Sequence, residues 1–168
     1  LTPVQHGLLF HARTAHAADN DLYAVQLAVT VAGPLDQARL HEAAQNAVNR
    51  HPNLAAHFCS QFDEPVQLLP ADPGLPWRYV ELDANRPDLE DQIERLSSAE
   101  RAAVCNLDEP PLFRVALIRT AEDLHRCIFT FHHIVVDGWS LPILLQEIFA
   151  SYYGQRLPAT SSYRSFLT

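Results

Sequence analysis

The sequence predicts an α/β fold, in which a β-sheet is packed with helices in one domain. Strand-like alternation recurs over residues 22–31, 113–118 and 124–131, and alternation with a period of two is the pattern of a half-buried strand. Helical spacing of apolar residues recurs over residues 35–50, 87–105 and 141–153. The length of 168 residues, with 48% hydrophobic and 19% charged residues, is typical of a globular domain with a real core.

The first part of the chain predicts a helix, a strand and a second helix. Thr2 is an N-cap residue and Pro3 suits the first helical position, so residues 1–11 are expected to form a capped helix with Leu8 and Leu9 buried. The remaining segments are a polar loop over residues 15–21, a strand over 22–31 ended by Gly33-Pro34, and an amphipathic helix over 35–50.

The middle of the chain predicts short strands around one helix. The expected segments are a strand pair within residues 58–69, a short strand over 77–82, a helix over 87–105, and a hairpin formed by 113–118 and 124–131. Cys127 lies within the last of these strands and is expected to serve packing rather than chemistry.

The strand over residues 124–131 leads directly into two adjacent histidines, His132 and His133. A helix over residues 141–153, which Gly154 can end, follows a short loop. Because neighbouring side chains on a strand point to opposite faces, one histidine should face inward while the other faces a cleft. The two histidines therefore cannot share a role.

The loop after the histidines carries residues suited to shaping a site. Asp137 could accept hydrogen bonds or meet an arginine, and Gly138 permits a backbone conformation that a side chain would obstruct. Ser140 is the expected N-cap of the following helix. Trp139 could form a wall of the site or belong to the core.

A histidine presented at a strand end can exchange protons near neutral pH, and could take one from an amine or hydroxyl that attacks an acyl group. The alternative is two ordinary histidines, one buried and one exposed. The order His-His, Asp, Gly, Trp, Ser over residues 132–140 favours a functional site.

The segment over residues 132–138 resembles the HHxxxDG signature of condensation domains of nonribosomal peptide synthetases, which belong to the chloramphenicol acetyltransferase-like acyltransferases. Residues 1–11 are similar to the opening motif of that family. Residues 50–58 resemble its second motif, RHxxLRTxF, in the first arginine, the histidine, the leucine and the phenylalanine, whereas Ala55 replaces the second arginine. Residues 163–166 look like the beginning of the next motif.

The resemblance implies a chloramphenicol acetyltransferase-like half domain with two layers, a mixed sheet and helices. Residues 1–168 would be the N-terminal subdomain, and the C-terminal subdomain that completes the V-shaped domain would be absent. The opening Leu1-Thr2-Pro3 and the absence of methionine lead us to expect a piece of a longer polypeptide. The isolated piece is expected to be poorly active and able to self-associate through its uncovered apolar face.

The resemblance also implies the reaction, which is peptide bond formation in antibiotic or siderophore biosynthesis. An acyl or peptidyl thioester on an upstream carrier would be transferred to the amine of a downstream carrier-bound aminoacyl group. Both substrates would arrive on phosphopantetheine arms, with no cofactor bound directly. The expected partners are these two carrier domains and the missing subdomain.

The roles of the site residues follow from the same resemblance. His133 would be catalytic, as a base or as a group that positions the amine, and His132 would support the strand. Arg50 would pair with Asp137, although it could instead cap its own helix. Gly138 could let backbone amides approach the oxyanion, and Trp139 and Ser140 could line the substrate channel. The opening Leu1-Thr2-Pro3 and residues 137–142 look most like the subgroup that takes a donor ending in a D-residue.

Three other functions remain open from the sequence. A related HxxxDG acyltransferase would use coenzyme A, and a docking platform would bind carrier proteins without catalysis. A metal site formed by His132, His133 and Asp137 is awkward, because adjacent strand residues point apart, and we expect no metal.

Composition excludes other classes of function. The chain has 12 Lys and Arg against 20 Asp and Glu, a net charge of −8, which argues against a nucleic-acid surface. No apolar run reaches membrane-spanning length. Its three cysteines have no metal-like spacing and suggest reduced thiols in a cytoplasmic protein.

Overall fold

The computed structural model describes residues 1–14, 22–59, 61–109 and 111–159. The loop predicted over residues 15–21 and the motif resemblance at residues 163–166 lie outside the described residues.

The predicted helices and strands are confirmed, with small shifts at their ends. The elements are α1 (Pro3–Thr14), β1 (Ala24–Ala32), α2 (Gln37–Arg50), a short 3₁₀ helix (Pro52–Ala55), β2 (His57–Cys59), β3 (Val66–Leu68), β4 (Trp77–Glu81), α3 (Leu89–Ala102), β5 (Phe113–Ala121), β6 (Leu124–His132) and α4 (Ser140–Tyr152). The strands of the hairpin each extend beyond the predicted ends, and β6 includes His132 as its last residue.

The strands β1, β6, β5 and β4 form a mixed sheet in that order within the described residues. Strand β6 is antiparallel to both of its neighbours, whereas β4 runs parallel to β5. The parallel pair is connected through α3, as a crossover between parallel strands requires. This arrangement confirms the predicted α/β class with a mixed sheet and places β6 inside the sheet, where its register is fixed on both sides.

The two faces of the sheet belong to two apolar clusters. Alternate residues of β5 and β6 pack against α2 and α4: Phe113, Val115, Leu117, Cys127, Phe129 and Phe131. The opposite face holds a smaller cluster in which Ala116, Ile118 and Ile128 pack against Ile93 of α3. The predicted two layers describe the larger cluster, and α3 adds a layer on the other face. Burial raises the pKa of Cys127 to about 12, as expected for a thiol that serves packing.

Local sequence signals define the ends of α1 and α4. At α1, Thr2 Oγ1 accepts a hydrogen bond from Gln5 N (3.2 Å) and Thr2 N donates to Gln5 Oε1 (2.9 Å), which is a capping box. At α4, Gln155 N donates to Ala150 O and Gly154 N donates to Ser151 O, the Schellman pattern, with Gly154 at a φ of 71°. Both ends are therefore formed as predicted.

Helix α2 begins two residues later than predicted, because Asp36 is its N-cap and accepts hydrogen bonds from Ala38 N (3.0 Å) and Arg39 N (3.1 Å). Leu9 is buried as predicted, whereas Leu8 is partly buried against the same cluster. Within the part of the chain that the structure describes, no helix is long and apolar enough to cross a membrane.

Candidate active site

The end of β6 places the two histidines on opposite sides of the sheet. His132 is completely buried and shares its side of β6 with Ile128, which faces α3. His133 is half-buried and lines a cleft. The expectation that the two histidines face different surroundings is therefore confirmed, with His133 as the accessible one.

The cleft has a volume of about 500 Å³ and lies between α1, the 3₁₀ helix, the β6–α4 loop and the start of α4. Its lining is mostly apolar, with a few polar side chains. The lining residues are Val4, Gln5, Leu8, His51, Asn53, Leu54, His133, Ile134, Val135, Val136, Asp137, Ser140, Ile143 and Leu144. An apolar cleft with a small number of convergent polar groups is the usual form of a small-molecule site.

The imidazole of His133 is held by a backbone carbonyl. Its Nδ1 lies 3.0 Å from Val136 O, and because a carbonyl oxygen can only accept, Nδ1 must carry the proton. In the neutral ring Nε2 then carries the lone pair, and no hydrogen bond from the described residues occupies that nitrogen. His133 can therefore accept a proton from a ligand in the cleft through Nε2.

His132 is fixed in the opposite tautomer. Its Nδ1 accepts a hydrogen bond from Ile134 N at 3.0 Å, so in the neutral ring Nε2 carries the proton. The ring of Tyr23 lies beside it, with 6.1 Å between the ring centroids. His132 thus stabilises the turn that follows the strand.

Asp137 connects the loop to the first turn of α4. Its Oδ1 accepts hydrogen bonds from Trp139 N (3.1 Å) and Ser140 N (2.7 Å), and Leu141 N donates to Asp137 O. Hydrogen bonds from the side chain and then the backbone of Ser140 hold the pKa of Asp137 below its ordinary value. The prediction that Ser140 is the N-cap is therefore wrong, because the carboxylate three residues earlier already binds the free amides of the helix.

The predicted pairing of Arg50 with Asp137 is also wrong. Arg50 Nε lies 3.1 Å from Glu147 Oε2 on α4, and its Nη2 donates to Pro158 O at 2.8 Å. His51 Nε2 lies 2.7 Å from the same carboxylate oxygen of Glu147. The end of α2 packs against the middle of α4, so Arg50 meets Glu147 there, while Asp137 is bound by amides at the helix start. Arg50 therefore connects the end of α2 to α4.

The pKa of Glu147 reflects its contacts with Arg50 and His51. Burial raises the pKa of Glu147, but hydrogen bonds from Arg50 and His51 outweigh the burial and leave the pKa below its ordinary value. The carboxylate is therefore charged and connects α4 to the end of α2 beside the cleft.

Gly138 and Trp139 differ from the expectations. Positive φ angles within the described residues occur at Gly33 and Gly154, and a Cβ added to Gly138 would meet no described atom within 4 Å. The conformational need for glycine predicted at position 138 is therefore absent in the described chain. Trp139 is 88% exposed, so it belongs neither to the core nor to the lining described for the cleft, whereas Ser140 does line it.

Sequence reasoning missed two side chains that bind the loop. Gln5 Nε2 donates to Ile134 O at 3.3 Å, and Asn53 Nδ2 donates to Val135 O at 3.2 Å. The spacing of Thr2 and Gln5 is that of a capping box, which would have drawn attention to Gln5. A capping box accounts for the glutamine within α1, however, and does not indicate a contact with the loop. Asn53 gave no signal, because its partner lies 82 residues away in the sequence.

The structure offers no metal-binding group among residues 1–14, 22–59, 61–109 and 111–159, since no three His, Cys, Asp or Glu side chains there are arranged to hold an ion. His132 and His133 lie on opposite sides of the strand, which separates the histidines that a metal site would need to share.

Comparison with known proteins places this geometry in a family. The family model described as "Condensation domain" matches residues 1–168. Chondramide synthase of Chondromyces crocatus is 36% identical over 138 residues, which are 82% of this chain and 4% of that protein. N-(5-amino-5-carboxypentanoyl)-L-cysteinyl-D-valine synthase of Amycolatopsis lactamdurans is 36% identical over 156 residues, which are 91% of this chain and 4% of that protein.

Solved structures show the same fold. The first condensation domain of the calcium-dependent antibiotic synthetase, in complex with a substrate analogue, is 26% identical with a TM-score of 0.78, and the match covers 96% of this chain and 39% of that one. The starter condensation domain of rhizomide synthetase, at 19% identity, has a TM-score of 0.83 over 99% of this chain and 43% of that one; this likeness concerns the fold. The predicted chloramphenicol acetyltransferase-like fold is confirmed, and the chain belongs to the condensation domain family.

Proposed function

We propose that this condensation-family chain is the histidine-bearing subdomain of an enzyme that forms amide bonds in nonribosomal peptide synthesis. The observation that carries the proposal is the tautomer of His133, which has its proton on Nδ1 because Nδ1 is bound to Val136 O at 3.0 Å. The ring lines an open cleft and presents Nε2 as a proton acceptor. An attacking amine needs such an acceptor, because an ammonium group has no lone pair with which to attack.

The proposed reaction joins two carrier-bound substrates. An upstream carrier presents an acyl or peptidyl thioester on its phosphopantetheine arm, and a downstream carrier presents an aminoacyl amine. The amine nitrogen attacks the thioester carbon, the new C–N bond forms and the C–S bond breaks. The proton lost by the amine passes to His133 Nε2 and then to the departing sulfur, so the upstream arm leaves as a thiol.

His133 serves this reaction as base, as positioning group, or as both. Holding an amine in line with the thioester supplies much of a rate enhancement by itself, and the same Nε2 lone pair would hold the amine. The apolar lining residues Val4, Leu8 and Leu144 suit the aliphatic part of a pantetheine arm or of the acyl chain.

A second subdomain is proposed to close the cleft. Val4 and Ile143 line the cleft and are 70% and 58% exposed, and the nearby Trp139 is exposed as well. The chain spans 39% of the matched condensation-domain chain. Apolar side chains at a cleft rim are stabilised when a partner removes them from water. The chain on its own is therefore expected to condense poorly, and it could self-associate through this surface.

The test replaces His133 with Ala in the full-length parent protein, with both carrier domains loaded. Single-turnover product formation, followed by mass spectrometry of the carriers, should fall by at least about 100-fold, the usual contribution of a general acid–base group. The matched control is His6→Ala, which removes an exposed histidine of α1 and should leave the rate unchanged. A parent-like rate for His133→Ala would overturn the proposal.

The same assay separates the alternative functions. A donor loaded on coenzyme A instead of on the upstream carrier should give little product, and efficient transfer from coenzyme A would favour a free acyl donor. Carrier binding with parent affinity but without product in the parent protein would indicate a docking platform instead of an enzyme.

A further inference from the structure

The loop that follows His133 has three consecutive carbonyl groups, and each of them is bound by a side chain. Gln5 Nε2 donates to Ile134 O at 3.3 Å, and Asn53 Nδ2 donates to Val135 O at 3.2 Å. His133 Nδ1 donates to Val136 O at 3.0 Å. Val136 O, which selects the tautomer of His133, is thus the last of three consecutive carbonyls. The first two, Ile134 O and Val135 O, are bound by side chains from outside the loop.

The side chains and amides of this loop are held separately from its carbonyls. Ile134, Val135 and Val136 are 4%, 8% and 2% exposed, so their side chains anchor the loop in the core. Val135 N and Val136 N donate to His132 O at 3.1 Å and 3.4 Å. The carbonyls of residues 134 and 135 therefore depend on Gln5 and Asn53 for the bonds described here.

Losing one of these donors would leave a poorly solvated carbonyl unpaired, and a buried unpaired polar group is costly enough to turn its peptide plane toward water. Consecutive peptide planes share their Cα atoms, so a rotation at residue 134 or 135 displaces Val136 O. His133 Nδ1 would then lose its acceptor, and the ring could take the tautomer in which Nε2 carries the proton. In that tautomer Nε2 cannot accept a proton from an amine.

We propose that Gln5 and Asn53 are positioning residues that bind Ile134 O and Val135 O, and thereby keep His133 in the tautomer with the proton on Nδ1. Gln5 belongs to α1 and Asn53 to the 3₁₀ helix. The tautomer of His133 therefore depends on the packing of both elements against the loop. The catalytic consequence rests on the proposed function, whereas the tautomer itself does not.

Two substitutions remove the donors while preserving shape. Asn53→Asp replaces the Nδ2 donor with an oxygen, and Gln5→Glu replaces Nε2 but keeps an oxygen that accepts from Thr2 N in the capping box. The matched controls are Asn46→Asp, on the exposed side of α2, and Gln155→Glu, exposed beyond α4. Both controls add the same charge away from the loop.

The tautomers are measured by ¹⁵N chemical shifts of the histidine side chains of this chain, without substrate and at a pH well above the ordinary histidine pKa. In the unsubstituted chain and in both controls, His133 should show a protonated Nδ1 and an unprotonated Nε2. In Asn53→Asp and Gln5→Glu, the population with protonated Nε2 should increase at least severalfold. His132 is the internal reference, and its spectrum should keep Nε2 protonated if the strand is intact.

Kinetics in the full-length parent test the consequence. With kcat and KM measured separately for the downstream substrate, each variant should lose about tenfold in kcat with KM nearly unchanged, as a misoriented reacting group predicts. A rise in KM at constant kcat would show instead that Gln5 and Asn53 bind substrate, and would overturn the positioning role.

The two proposals fail in different ways. A parent-like His133 tautomer in both variants overturns the positioning role, whatever the activity of His133→Ala. An active His133→Ala variant overturns the proposed function, whatever the tautomer. If the carboxylate in Asn53→Asp unfolds the chain, as a changed His132 spectrum would show, the uncharged Asn53→Leu variant decides the question by the same spectrum.

Discussion

The two faces of the central sheet differ in how completely their polar side chains are bound. On the side of α3, Glu100 is 1% exposed and forms ion pairs with Arg78 (2.8 Å) and Arg114 (2.7 Å). On the side of the cleft, His133 is half-buried and has one nitrogen bound to Val136 O, while Nε2 has no hydrogen bond from the described residues.

The difference separates a face on which ion pairs hold elements together from a face on which one ring nitrogen stays accessible. A buried charge is tolerated when it is paired and hydrogen-bonded, so the contacts of Glu100 fix α3 against β4 and β5. A reactive group needs the reverse, namely one atom that is held and one that stays open to a ligand. His132 and His133 make the same contrast at adjacent positions, with opposite tautomers.

The sharpest test of this contrast compares the stabilities of His132→Ala and His133→Ala. Removing His132 leaves a cavity at a fully buried position and takes the acceptor away from Ile134 N, which together should cost about 4 kcal/mol of unfolding free energy. Removing the half-buried His133 should cost about 1 kcal/mol. Urea denaturation followed by circular dichroism measures both, and equal losses would contradict the division of roles.

A second test concerns the face on the side of α3. Glu100→Gln removes the charge that Arg78 and Arg114 share, and because both arginines are partly exposed, the loss of unfolding free energy should be about 3 kcal/mol, at the lower end for a broken buried pair. The control is Glu94→Gln, on the exposed side of the same helix, where a much smaller change is expected. Thermal unfolding of the two variants gives the comparison, and similar Tm values would mean that Glu100 contributes little.

A third test concerns the loop itself. Asp137→Ala should lower the unfolding free energy by about 1 kcal/mol, the usual cost of a lost N-cap. Asp72→Ala removes an exposed acid of a loop and should change the stability less. If Asp137→Ala matched that control in denaturant midpoint, the carboxylate would not be stabilising α4.

The smallest expected effect is the dependence of stability on pH. The pKa values of Asp137 and Glu147 are lowered in the folded chain, so the unfolded state binds protons first as the pH falls. Their stabilisation is present above the ordinary carboxyl pKa of about 4 and is lost below it, as the pH passes the lowered values. Asp137→Asn and Glu147→Gln should each flatten the Tm profile in this acid range; an unchanged profile would contradict the paired geometry.

Much of the fold could be predicted from short-range patterns. The cap of α1 at Thr2, the end of α4 at Gly154 and the opposite orientation of His132 and His133 each follow from residues within a few positions of one another. The strand that delivers the histidines is also predicted, because its alternation is carried by the chain itself.

The predictions that failed concerned partners. Asp137 was expected to accept hydrogen bonds or to meet an arginine; it accepts them from amides two and three residues along the chain, and the pairing with Arg50 is absent. Arg50 binds Glu147, 97 residues away, and the exposure of Trp139 depends on what lies beside the loop in space. The expectation for Gly138 failed for the same reason. Whether a side chain would be obstructed there depends on spatial neighbours that the sequence alone does not reveal.

By itself, the sequence determined the order of the elements, the start of α1 after Thr2, the end of α4 at Gly154 and the presence of one histidine on each side of a strand. These follow from backbone geometry, which repeats every two or 3.6 residues. The tertiary structure decided which atoms meet: Glu147 with Arg50, Gln5 and Asn53 with the loop carbonyls, and Val136 O with His133 Nδ1. Most of those contacts join segments separated by 82 to 129 residues, so they exist only after α1, α2 and α4 have packed around the end of β6.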